Sequence, residues 1–409
     1  MKRNLTGKCW IFILVCLSFS GCFCAGASSR SVSVVTWNVQ AFFDANTSGS
    51  EYSDFIRSKQ WGVQAYEARL KRLCEVMRQL DADVYVFEEI ENKNILIDIS
   101  NRLSGCFYAG ASSRSVSVVT WNVQTFFDAN TSGSEYSDFI RSKQWGVQAY
   151  EARLKRLCEV MRQLDADIYV FEEIENKDIL IDISNELSGF SWNQRKNWNY
   201  ALFAKNESGA IGCAVLSRFP LSEPTVHNLD VRTEREKQPE LRPVIRLKVL
   251  VNDTQLVLFV NHWKSKSGGA EKTEVWRNWQ ESLLSSLMKK DFERGAYILA
   301  AGDFNRDISE FNFCGDCNDD SGIVVLGGEV PVYSPWFFGG VLEEPGSYYY
   351  NDSWERIDHF FASQNIAFLE FRAATGVWCE DSGIPARYKI YTGQGYSDHL
   401  PLFCRICLD

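Results

Sequence analysis

Three of the four histidines in the chain fall inside short polar clusters, and each cluster abuts an apolar run. The clusters are Trp121-Asn122, Phe171-Glu172-Glu173-Ile174-Glu175, Asn261-His262-Trp263-Lys264-Ser265-Lys266, Gly302-Asp303-Phe304-Asn305, Arg356-Ile357-Asp358-His359 and Ser397-Asp398-His399-Leu400-Pro401. Asp, Glu and Asn oxygens suit a hard cation such as Mg²⁺, which takes a few carboxylates plus water and phosphate. Histidine works as an acid or base near neutral pH. An Asp facing a His fixes its tautomer and raises its basicity. The remaining histidine, His227, stands before Asn228 and reads as a loop residue on the surface.

The elements that must position these groups are strands. Ser115 to Val123 is β-rich and roughly alternating, and Ile168 to Glu173, Gln255 to Val260, Tyr297 to Ala301 and Leu402 to Ile406 are apolar runs of strand length. Val147, Tyr150, Leu154, Leu157, Met161 and Leu164 fall at helical spacing, as one apolar stripe. Strand ends gathered on one rim of a sheet are where a rigid scaffold displays reactive groups.

Residues 25–105 recur as 109–189 and differ only at Ala41/Thr125, Val84/Ile168, Asn94/Asp178 and Arg102/Glu186. Each copy reads strand, helix, strand, a unit that cannot bury its own apolar faces and must join a larger sheet. The second copy runs directly into residues 190–409, so it is expected to join that sheet and the first copy, within residues 28–108, to be surplus. Asn38 and Glu89 of the first copy match Asn122 and Glu173.

This ordered set of six motifs resembles the endonuclease/exonuclease/phosphatase family, the pancreatic-DNase-like fold, over roughly residues 116–406. The run from Asn261 to Gly269 is most similar to extracellular bacterial nucleases. The resemblance implies an α/β (α+β) fold, a four-layer α-β-β-α sandwich of two packed mixed β-sheets, with a catalytic domain over residues 109–409. It implies hydrolysis of phosphodiester bonds with Mg²⁺ as cofactor, Mn²⁺ or Ca²⁺ being alternatives. It makes Glu173 the main metal carboxylate, with Asn122 and Asp398 close to the metal; strand parity decides between Glu172 and Glu173. Asp303 then positions or activates the attacking water, and Asn305 orients the phosphate. His399 contacts the scissile phosphate or acts as base with Asp358 as partner, and His262 is the second histidine. Lys264, Lys266 and Arg242, the last in a basic stretch with Arg232, Arg235 and Arg246, hold the substrate backbone. Trp192, Trp198 and Trp263 read as packing residues rather than base-stacking ones.

The chain has 409 residues and a formal net charge of −10, which excludes binding nucleic acid by bulk charge alone. Bound cations can supply the missing positive charge, so nucleic acid, DNA before RNA, is the expected substrate. Sphingomyelinase-like or inositol-phosphate hydrolysis is the alternative, although the Pro-x-Trp-Cys-Asp-Arg motif of inositol polyphosphate phosphatases is absent. A non-catalytic surface lipoprotein, its enzyme fold broken by the duplication, is a third reading.

Lys2, Arg3 and Lys8 precede an apolar run from Trp10 to Phe19, the layout of an export signal within residues 1–27. Cleavage is expected after Ala25-Gly26-Ala27, or at Ser20-Gly21-Cys22, where Cys22 becomes a lipidated first residue that attaches the chain to a membrane. Cys314/Cys317 and Cys404/Cys407 are the only C-x-x-C pairs; for an exported chain they read as structural cysteines or disulfides before a zinc site.

Overall fold

The computed structural model describes residues 12–15, 33–43, 63–80, 82, 84–92, 95, 96, 98, 99, 115–130, 137–142, 144–188, 198–231, 237–313, 322–340 and 345–408. Cys22 and its alternative cleavage site, Cys314, Cys317, Trp192, Arg232 and Arg235 lie outside these residues. The chain divides into two compact units, Met1–Ser113 and Arg114–Asp409.

The first unit contains β1 (Phe12–Val15), β2 (Val34–Phe42), α1 (Val63–Leu80) and β3 (Val84–Ile90). β3 lies between β1, antiparallel to it, and β2, parallel to it. Leu70, Leu73 and Met77 of α1 pack with Phe42, Phe87, Ile95 and Ile99 in a small core. β1, within the apolar run from Trp10 to Phe19, pairs with Val84–Phe87 of β3.

The second unit opens with the second copy: β4 (Ser115–Phe126), α2 (Ser137–Arg141), α3 (Val147–Leu164), β5 (Ile168–Ile174) and α4 (Asp178–Ser188). There follow β6 (Tyr200–Ala204), β7 (Gly212–Ser217), β8 (Leu221–His227), β9 (Val244–Val251), β10 (Thr254–His262), α5 (Ala270–Phe292) and β11 (Tyr297–Asp303). The remainder comprises β12 (Ile323–Leu326), β13 (Val330–Tyr333), β14 (Tyr348–Tyr350), β15 (Ser353–Glu355), β16 (Asp358–Ala362), β17 (Ile366–Ala373) and β18 (Leu402–Leu408).

Six strands form one mixed sheet in the order β17-β18-β4-β5-β7-β6, and seven form another in the order β12-β13-β16-β11-β10-β9-β8. The two sheets face each other around one apolar core that includes Val118, Phe171, Leu258, Leu299, Phe361 and Ile406. Helices cover both outer faces, giving the α-β-β-α sandwich. α3 lies on the six-stranded sheet, where the Tyr169 hydroxyl donates to Met161 O at 2.8 Å and Arg153 donates to Val123 O at 2.9 Å. α5 lies on the seven-stranded sheet, where Ser285 Oγ donates to Leu326 O at 2.7 Å. Strands covered on both faces read as near-continuous apolar runs, and β4 is buried over most of its length.

Tyr150, Leu154, Leu157, Met161 and Leu164 form the buried stripe of α3, but Val147, expected to join it, is 58% exposed at the first turn. His227 is not in a loop: it closes β8, with Nε2 2.9 Å from Thr225 Oγ1. Cys404 and Cys407 are both buried. They lie three apart on β18, so their side chains leave opposite faces of the strand and cannot form a pair.

Candidate active site

Strand register assembles the site. In the seven-stranded sheet, parallel pairing of β10 with β11 sets His262 beside Asp303, and antiparallel pairing of β11 with β16 sets Asp303 beside Asp358. Three reactive side chains therefore stand in one row across neighbouring strands. The approach is close at Gly302, where a Cβ would lie 1.9 Å from Asn261 O; with φ of +141°, only glycine fits this strand end. The turn that follows is tied down by Arg306, a buried guanidinium that pairs with Glu274 and Glu281 of α5.

In the six-stranded sheet, β4 and β5 run parallel, with Asn122 opposite Glu172. Both strands are irregular here, and Gln124, Thr125 and Glu173 all have positive φ, between 49° and 67°. Such bulges re-aim side chains at a sheet rim. Glu172 points inward, fully buried, and accepts from Thr120 Oγ1 at 2.9 Å. Glu173 swings to the rim, accepting from Thr125 N at 2.6 Å and Asn122 Nδ2 at 3.3 Å. The Asn122 amide also donates to Asp303 Oδ2 at 3.0 Å and so bridges the two sheets. β18 is preceded by Ser397, whose hydroxyl donates to Asn122 O at 2.6 Å and accepts from His399 N at 3.1 Å.

His399 Nδ1 lies 2.8 Å from Asp358 Oδ2, which leaves Nε2 for other partners. Burial opposes charge on this ring. The Asp358 carboxylate, with Asp303 and Asp398 beyond it, outweighs that burial and carries His399 well above the usual histidine range. His262 goes the other way: burial, then Arg242, His399 and Lys264, hold it well below that range. Its Nε2 stands 3.6 Å from Asp303 Oδ2 and 3.9 Å from Glu173 Oε1. Burial and the neighbouring Asp358 charge push Asp303 up to about 7. Burial, Asp358 and Asp303 likewise push Glu172 well above the usual carboxylate range.

A sequence model of the endonuclease/exonuclease/phosphatase family matches residues 119–399. The chain belongs to this family. It is therefore a metal-dependent phosphoester hydrolase, and the match includes residues of all six motifs. No curated protein matches the chain. Among solved structures it is similar to truncated TDP2 of Caenorhabditis elegans, at 16% identity over 72% of this chain and 98% of that one, with a TM-score of 0.47. It is similar to an endonuclease/exonuclease/phosphatase family protein of Bacteroides thetaiotaomicron, at 17% identity over 72% and 98% of the two chains, TM-score 0.44. It is also similar to the human Nocturnin catalytic domain, solved with a bound sulfate anion, at 17% identity over 73% and 96%, TM-score 0.45.

The residue chemistry fits the divalent cation that the family uses. Glu173 Oε1 and Asp303 Oδ2 converge on one amide, and Asp303, Asp358 and His399 each offer an atom within 4.8 Å of the others. Among the described residues, Asp358 Oδ1, Glu172 Oε2 and His262 Nδ1 are buried without a hydrogen-bond partner. Buried, mutually repelling carboxylates with spare oxygens are what a hard cation neutralises.

Of the twelve sequence candidates, Asn122, Glu173, His262, Asp303, Asp358 and His399 form this one cluster. Asn305 sits at its edge with φ of +48°, its amide donating to Trp263 O at 3.2 Å and its backbone N–H to Asp303 Oδ1 at 2.8 Å. Asp398, 19% exposed, faces Arg387 Nε at 3.7 Å. Arg242 and Lys264 are half-buried beside His262. Lys266 is held by Glu355 at 2.9 Å and Glu310 at 3.1 Å. His359, counted among the clustered histidines, faces away: its ring bonds Arg306 O at 2.7 Å and Trp336 Nε1 at 3.0 Å. Trp263 and Trp198 are buried, as packing residues.

Sequence reasoning leaves three contributors without a role. Glu172 enters it only as the parity alternative to Glu173, and it is interior. Ser397 was seen only as part of a motif. Tyr348, whose ring lies 4.7 Å from that of His399, carried no signal at all.

Proposed function

We propose that the chain is an exported Mg²⁺-dependent nuclease that hydrolyses phosphodiester bonds in DNA. The observation that carries this reading is the Asp358–His399 pair held at 2.8 Å beside Asp303, with the Asn122–Glu173 pair facing them from the other sheet. The cationic side chains of Arg242 and Lys264 flank His262 and favour a polyanionic substrate.

A divalent cation, held by Glu173 and Asn122 with Asp398 nearby, would supply charge stabilisation at the phosphoryl oxygens. The chain's own residues do the rest. Asp358 fixes the His399 ring and favours its charged form, so Nε2–H donates to a non-bridging phosphate oxygen and opposes the negative charge that builds up there. Asp303, buried beside Asp358 and held by the Asn122 amide and the Asn305 N–H, orients the attacking water and receives its proton. His262 stays neutral under burial and nearby cations, so it contributes a polar contact without adding charge. Asn305 fixes the turn that sets Asp303 and offers its amide to the phosphate.

Export is supported by Lys2, Arg3 and Lys8 before the apolar run, and lipidation by Cys22 in Ser20-Gly21-Cys22. Fractionation of cells with radiolabelled palmitate tests both: label lost in Cys22→Ala is expected, and an unlabelled cytosolic protein contradicts them.

The function is tested on purified protein with plasmid DNA, RNA, sphingomyelin and inositol phosphates, each with Mg²⁺ or EDTA. Nicking or degradation of DNA that EDTA abolishes is expected. Turnover of a lipid or inositol substrate without cleavage of nucleic acid contradicts the nuclease reading.

A further inference from the structure

Beside the catalytic cluster stands a two-stranded hairpin, β14–β15, with Tyr350 paired to Ser353. Its two loop residues, Asn351 and Asp352, have φ of 48° and 59°, the pattern of the tight turn that matches strand twist, and Asn and Asp adopt it readily. The hairpin is therefore short and stiff. It is locked at its base, where Tyr348 bridges His399 and Leu400 N donates to Ser347 O at 2.7 Å.

The two faces of the hairpin differ. On one, Tyr349 meets Trp354 edge-on at 5.2 Å, and Trp354 packs against the main core. On the other, Tyr348 and Tyr350 stack with their planes 17° apart and centroids 6.2 Å apart. The Tyr348 ring in turn lies 4.7 Å from the His399 ring. A ladder of rings thus leads from His399 outward to Tyr350, which is 53% exposed. Glu355, opposite Tyr348 on the same face, holds Lys266 at 2.9 Å and so ties the base of the ladder to the loop after β10.

We propose that this face is a stacking platform for single-stranded nucleic acid, with Tyr350 receiving the base that neighbours the phosphate held at His399. The proposal rests on the nuclease reading above. Flat rings take any base through its π-face. The hairpin tip argues against a lipid surface. Asn351, Asp352 and Ser353 are all exposed there, whereas a segment that enters a membrane interface presents apolar and basic side chains.

The test compares Tyr350→Ala, Tyr350→Phe and wild type on short single-stranded oligonucleotides, with and without a scanned abasic position. The expected result is a rise in KM of roughly ten- to a hundredfold for Tyr350→Ala, the range of stacking losses on alanine substitution, with kcat nearly unchanged. Tyr350→Phe keeps the wild-type KM, because the ring is retained. One abasic position raises the wild-type KM by the same factor and leaves Tyr350→Ala indifferent. Tyr391→Ala, at a comparably exposed tyrosine outside the hairpin, serves as control. An unchanged KM in Tyr350→Ala overturns the platform while the nuclease stands. So does loss of binding to phosphatidylcholine vesicles in that variant without a change in KM. A wild type that cuts no nucleic acid overturns the nuclease reading and the platform with it.

Discussion

In the first copy of the repeat, Asn38 Nδ2 donates to Glu89 Oε1 at 2.9 Å and Ala41 N to Glu89 Oε2 at 2.8 Å. In the second, Asn122 and Thr125 make the same two bonds to Glu173 at 3.3 and 2.6 Å. Gln40, Ala41 and Glu89 share the left-handed backbone of Gln124, Thr125 and Glu173. Arg69 clamps Val39 O and Ala41 O as Arg153 clamps Val123 O and Thr125 O. The bulges and the Asn–Glu pair are thus written into the segment itself. The surroundings are not. Val34 is 61% exposed where its counterpart Val118 is fully buried, and burial of one such side chain stabilises by about 1.5–3 kcal/mol. Glu89 is exposed and its carboxyl is held below the usual range by Asn38 and the Ala41 N–H, whereas Glu173 shares its amide with Asp303. Local sequence builds half a site, and the second sheet makes it a whole one.

The largest expected effect tests what the second sheet adds. Asp303→Ala or His399→Ala should lower kcat by roughly two orders of magnitude or more, as removal of a general base or a transition-state contact does. Residual activity near wild type would mean that the Asn–Glu half suffices alone.

A smaller effect concerns the charge the cluster carries without its cation. Burial and the Asp358 charge raise Asp303 from the ordinary carboxylate range to about 7, so its protonated form is favoured in the folded protein. Its contribution is fully present below the unfolded value and is lost as pH rises through about 7. His399 and Glu172, also raised, act in the same direction, whereas the buried rings of His262 and His359, held low, oppose them only up to the unfolded histidine value of about 6.5. In EDTA, Tm should therefore fall between pH 5 and pH 8. Millimolar Mg²⁺ should restore it by a few degrees, more at pH 8 than at pH 5, because the cation binds only the folded cluster. A Tm that rises with pH in EDTA would contradict this charge balance. The first copy, with one exposed carboxylate of the pair, contributes nothing to the trend.

The smallest effects lie outside the cluster. A chain without residues 25–108 should keep wild-type kcat/KM and a Tm within about 2 °C, because the second unit holds its own core. His227→Ala should be close to neutral on turnover. A loss at His227 comparable with that at His399 would mean that the histidines have been wrongly assigned.

The strands were legible because β4, β10 and β11 are apolar runs that end in polar residues and β18 is one that follows them, and their order matches the family. The Asp358–His399 and His262–Asp303 neighbours follow once that order is known, since sheet register places strand ends side by side. Glu172 and Glu173 could not be separated by parity, because the bulge breaks the period-two rule where it would decide. Lys266 read as a free cation, because Glu310 and Glu355 lie 44 and 89 residues away and only tertiary structure brings them close. His359 read as clustered because Asp358 precedes it, yet alternation sends adjacent strand residues to opposite faces.

The most direct test is a paired measurement on the full-length protein: DNA hydrolysis by Glu173→Ala and by Glu89→Ala under the same Mg²⁺ concentration. With Asn122–Glu173 in the six-stranded sheet, Glu173→Ala should lose at least about 99% of wild-type activity, as loss of a main metal carboxylate would cause, while Glu89→Ala retains nearly all of it. Loss of about half in each variant would mean that the two copies exchange within the sheet. Loss in Glu89→Ala alone would contradict the assignment of the site to the second copy.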